Sequence, residues 1–277
     1  DAMEGKLIFD GPGDNYIEED ETYYKLTIQK PSGYFIVNEN VSIDIQDTLT
    51  VEEGIMGFLA GCDLSLGEAL SVNSGGTIVF EGDELDKVSV NSSVSKSNYA
   101  FDINPGGTIG AINTIFIYMD AEGLNMHSGS YIMPEGAFHH CNFAYGLPGG
   151  TLMTIDNGAD IVIHDAYFLT NTTGMEHNVS KNVDNGSVQF DEAYGDFAGP
   201  DFEGDPFNRI HWEYVPPFEL PFTEKWDSGN FETNLWTQTG DNWVVDAAYG
   251  NSAPSAAFRY NPTTTDYSLQ LRSYQFN

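Results

Sequence analysis

Cationic side chains are scarce in this chain. Ten Lys and Arg stand against 42 Asp and Glu, leaving a formal net charge of −32. Charge of that sign repels nucleic-acid phosphates and anionic lipid surfaces, so nucleic acid is excluded as a partner. Residues 97–180 contain no Lys or Arg at all, which bears on any chemistry that needs a cationic base or an anion clamp. Cysteine is equally sparse: Cys62 and Cys141 do not make a disulfide framework. No apolar run approaches the ~20 residues needed to cross a bilayer, and no basic leader opens the chain. It starts "DAMEGKLIFDG", as though cut from a longer multidomain chain or matured by removal of a leader. Heptads and long 3.6-residue stripes are missing too, which sets aside a helical fold.

What is present favours strands and turns. Gly at 29, Tyr at 15 and Phe at 18, among many Asn, Ser and Thr, suit an all-β chain. Short apolar-x-apolar triplets recur between Gly, Asn and Asp turns: "IDI" at Ile43, "LTV" at Leu49, "LSL" at Leu64, "LSV" at Leu70, "IVF" at Ile78 and "VSV" at Val88. Each puts two side chains inward and one outward. Such strands are too short for an ordinary sandwich, but stacking each on its counterpart in the next coil buries a continuous core. A longer repeat points the same way. "GKLIFDG" from Gly5 recurs as "GTIVFEG" from Gly76, each followed by a Tyr-led strand, "YKLTIQ" from Tyr24 and "YAFDIN" from Tyr99. A period a little over 70 residues fits about three coils of a parallel β-solenoid.

The segment "AFHHCNF", residues 137–143, sets two histidines beside a cysteine. A structural zinc site wants four ligands, usually in spaced pairs, and adjacent side chains on a strand face opposite ways. Aligned with "VIHDAYF" twenty-five residues on, it instead reads as one coil above another. Phe116, Phe143 and Phe168 then form an internal stack, His139 lies beside His164, and His140 beside Asp165. We expect a structural surface ladder there rather than a transition metal, with Cys141 a small buried filler.

The stretch "GKLIFDGPGDNYIEEDETYYKLTIQKPSGYFIVNENVSIDIQDTLTVEEG" resembles the repeats of large bacterial surface proteins with a right-handed parallel β-helix. "SVQFDEAYGDFAGPDFEGDPFNRIHWEY", from Ser187, resembles the segment closing such helices in secreted proteins exported by the type IX route. Beyond "VPPFELP" the composition changes, and all four tryptophans lie at or after Trp212. The tail is similar to the start of a MAM-like or cleaved-adhesin jelly roll. The expected organisation is therefore a β-helix over residues 1–214, with a partial β-sandwich or capping segment over 215–277.

The resemblance implies an extracellular or cell-surface location in a bacterium. It also implies a non-catalytic stalk or adhesin-like role, with glycans, other surface proteins or calcium as partners. No cofactor other than calcium is implied. "DGPGDN" and "DFEGDP" place acids around tight turns, making Asp10, Asp14, Asp201, Glu203 and Asp205 candidate calcium ligands. The jelly-roll resemblance adds Glu224 and Asp227. The alternative is a polysaccharide-degrading enzyme. Missing cations argue against a pectate-type lyase, whereas a neutral-glycan hydrolase needs only two suitably spaced carboxylates.

Overall fold

The computed structural model describes residues 5–93, 98–170, 172–213, 231, 237–238, 242–248, 254–259 and 271–272. The chain divides into two compact units, Asp1–Tyr214 and Val215–Asn277. Among the described residues no helix is long and apolar enough to cross a membrane.

The first unit is a parallel β-solenoid of about nine coils. Each coil has three walls. Wall A comprises Ala69–Val72, Tyr99–Ile103, Met119–Met126, Thr151–Ile155 and His177–Ser180, preceded by the first halves of Lys25–Val37 and Thr48–Leu59. Those two long strands bend across a corner, and their second halves, preceded by Asn15–Ile17, begin wall B. It continues through Gly76–Glu81, Thr108–Ile112 and Tyr131–His139. Asp160–His164, Ser187–Asp191 and Ile210–Glu213 complete it as a separate three-stranded sheet. Wall C stacks seven short strands, from Glu21–Tyr23 to Tyr167–Leu169.

The triplets explain the core. Ile43 and Ile45, Leu49 and Val51, Leu64 and Leu66, and Leu70 and Val72 are all buried, and the residue between each pair is only partly covered. Alternation at period two sends each flanking pair inward, and parallel stacking turns the pairs into continuous apolar columns. On wall C the rings of Phe116 and Phe143 are stacked at 5.3 Å and those of Phe143 and Phe168 at 5.4 Å, all fully buried. At the C-terminal end Trp212 stacks on Phe190 at 4.2 Å and meets Phe168 edge-on, closing the apolar column with an indole.

The long repeat needs one correction. Its Tyr-led copies are register equivalents: Leu26, Leu49, Leu70 and Phe101 succeed one another on wall A, three coils apart. Its glycine-led copies are not. Lys6–Phe9 pairs on wall A with Lys25–Ile28, whereas Gly76–Glu81 lies on wall B. Every wall needs the same alternating strand bounded by a glycine turn, so likeness of pattern does not assign a wall.

The second unit contains two antiparallel pairs among its described residues, Thr237–Gln238 with Leu271–Arg272 and Trp243–Asp246 with Ser255–Phe258. The change from parallel to antiparallel pairing marks it as a separate construction. Glu224 and Asp227 lie outside the described residues.

Candidate functional site

The corner between walls B and C carries the histidines. Asn113, His140, Asp165 and Glu192 all hold positive φ, between 48° and 60°, and occupy this corner in successive coils. The left-handed turn is what breaks the alternation in "AFHHCNF". Three of their amides donate to the next coil: Asn113 to the His139 carbonyl, His140 to that of His164, and Asp165 to that of Asp191. The rings of His139 and His164 lie 4.9 Å apart, and the His164 amide donates to His139 Nδ1 at 3.2 Å. His140 Nδ1 is 3.3 Å from Asp165, and His164 Nδ1 is 3.3 Å from Asp191. Cys141 is buried, and burial pushes its thiol up to about 12.

Burial holds His139 below the ordinary imidazole range. Like charge on His164 and His140 adds to this, and Asp165 opposes it. In the window between that lowered pKa and the unfolded value of ~6.5, the unfolded chain binds more protons. The contribution of His139 to stability is therefore complete above pH ~6.5 and is lost as pH falls through its folded pKa. Glu192 acts oppositely: burial and Asp165 raise its carboxyl, so its share is present in acid and fades as pH rises. His139→Gln is expected to flatten the fall in thermal midpoint between pH 7 and 5. A variant profile parallel to wild type would show that His139 is not its source.

The acidic turns are occupied by local bonds. Asp14 accepts the Tyr34 amide at 2.9 Å. Asp205 accepts the amides of Phe207, Arg209 and Ile210, and Glu203 accepts the Trp212 indole N–H. Asp10 lies exposed just after Lys6–Phe9, and Asp201 sits in the 3-10 turn Pro200–Phe202. Among the described residues, no three His, Cys, Asp or Glu side chains converge as a metal would require.

A recessed surface lies elsewhere, on wall A. Its outward column runs Thr27, Thr50, Ser71, Asp102, Asn125, Thr154 and Ser180, one residue per coil. Over the last three coils of this column the turns enclose a groove of about 410 Å³, walled by Glu122, His127, Asp156, Glu176, His177 and the Gly149–Gly150 turn. Asn125 forms the floor, donating to Glu122 at 2.7 Å and to Asp102 at 3.2 Å. His127 Nε2 lies 2.9 Å from Asp102, and the Thr154 hydroxyl donates to the Glu122 carbonyl at 2.9 Å. His177 sits 3.6 Å from Glu176, and Asp156 accepts the Asn182 amide at 2.7 Å. The nearby lysine does not enter. Lys181 takes an inward slot and is fully buried, donating to the carbonyls of Ile155 and Asn157, and burial lowers its pKa.

The groove therefore offers carboxylates, imidazoles, amides and hydroxyls without a cation among its lining residues. Sequence reasoning missed it, although a signal existed. "FDI", "LNM", "MTI" and "VSK" are further triplets, and their central residues are Asp102, Asn125, Thr154 and Ser180. Comparison with family models, with curated proteins and with solved structures gives no match. The fold itself defines the class, a parallel β-solenoid.

Proposed function

We propose that this chain is a non-catalytic stalk segment of a bacterial secreted or cell-surface protein, and that its wall A groove holds a neutral glycan. The observation that carries this reading is the groove itself. A row of hydroxyl, amide and carboxylate groups spaced ~4.8 Å apart along the coils suits the repeating hydroxyls of an extended sugar chain. Its acids, with no Lys or Arg among the residues that line it, repel uronates and sulfated glycans. Neutral oligosaccharides are expected to bind measurably by titration calorimetry, and polyuronates of the same length at least about tenfold more weakly. Equal affinity for both, or binding of neither, would sink the proposal. A second reading, neutral-glycan hydrolysis, is favoured by Glu122, Asp156 and Glu176 lining one groove. New reducing ends in the same mixtures would establish it and displace the stalk reading.

A further inference from the structure

Wall B presents a largely apolar face to solvent over the first six coils. Two outward columns run along it in register. One is Tyr34, Ile55, Thr77, Thr108 and Tyr131, and the other is Tyr16, Ile36, Gly57, Val79 and Gly110. None of these ten residues is charged, in a chain of net charge −32, and Asp14 flanks Tyr34 at the first coil. Tyr16, Tyr34 and Tyr131 are 56%, 48% and 62% exposed, and Ile36, Ile55 and Val79 are only half-buried. The alternation that fills the core sends polar residues outward on wall A, so the apolar outward set on wall B is a departure that packing inside the solenoid does not explain.

We infer that this face pairs with the same face of a second copy of the chain, sheet against sheet. Three observations select that occupant. The composition is that of a protein interface centre, rich in Tyr and aliphatic side chains and depleted of charge. Two copies each carrying a −32 charge can approach only where carboxylates are sparse, and here Asp14, which accepts the Tyr34 amide at the first coil, and Glu81 stand at the edges of the face. The size also fits. Five coil steps of ~4.8 Å and a width of ~20 Å cover roughly 500 Å² per copy, close to the ~1,000 Å² total that separates specific interfaces from incidental ones. That area makes a reversible dimer with a two-fold axis rather than an obligate one. The inference rests on wall B alone and is independent of any ligand in the wall A groove.

Sedimentation equilibrium of the whole chain over a concentration series tests it. Mass is expected to rise from 30.5 kDa toward twice that value. Association should tighten as salt screens the repulsion between copies. Val79→Glu should weaken association at least about tenfold, whereas Thr50→Glu, on outward wall A, should leave it unchanged. Should Val79→Glu lose its circular-dichroism spectrum or its melting transition, Tyr131→Lys at the exposed end of the face replaces it, with the same expected loss. A monomer at every concentration and salt, or a folded wall B variant that associates as well as wild type, overturns the inference.

Discussion

Replacing Phe143 by alanine is expected to destabilise the solenoid by about 3–5 kcal/mol, the largest effect of any single truncation considered. Its ring is fully buried between Phe116 and Phe168, stacked on both, and it also meets Phe138 edge-on at 6.3 Å. A solenoid core is one side chain deep per coil, so a cavity there has no second layer to collapse into it. Tyr145 supplies the contrast. It stacks on Tyr118 at 5.0 Å but is 38% exposed, and Tyr145→Ala should cost no more than about 1 kcal/mol. Urea unfolding of both variants measures the difference, and similar losses would mean that the wall C column is not the source of stability described.

Gly195→Ala should cost about 2–5 kcal/mol for a different reason. Gly195 has φ of 102°, a conformation L side chains rarely adopt, and a Cβ there would lie 2.1 Å from the Phe168 carbonyl oxygen of the coil below. Two penalties fall on one methyl group, one in the backbone and one in the stacking of coils. Gly13 separates them: its φ of 87° is also positive, but nothing lies within 4 Å of the added atom. Gly13→Ala should therefore show only the backbone part, about 1–2 kcal/mol. If the two alanine variants unfold at the same urea concentration, close packing of coils at Gly195 is not limiting.

The solenoid was legible because its core obeys a local rule. Alternation within a triplet assigns inside and outside, so Leu49 and Val51 or Leu64 and Leu66 could be placed inward without any knowledge of the neighbouring coil. Coil spacing was legible where large side chains repeat, as at Phe116, Phe143 and Phe168. Wall assignment was not, because glycine-bounded strands read alike on every wall, and the "GKLIFDG" copies were paired on that likeness. The left-handed corner was half visible. An odd spacing in "AFHHCNF" demanded a break, but His, Asp and Glu at positive φ carry no composition signal as glycine would. The groove needed more than the outward column of central triplet residues. Its sides come from irregular turns such as Gly149–Gly150, whose course is set by packing on the coil below. The apolar outer face of wall B was hidden for the converse reason, since "YFIV" and "GTIVF" read simply as buried strands.

The claim that the wall A groove receives a glycan is tested most directly by filling it. Thr154 points outward in the middle of its floor and is 9% exposed. Thr154→Trp would occupy the space while leaving the inward Met153 and Ile155 in place. The measurement is the affinity of this variant for the neutral oligosaccharide that wild type binds, with thermal unfolding as the check on folding. We expect at least about a tenfold loss in a protein that still melts cooperatively; affinity equal to wild type in the folded variant would contradict the account.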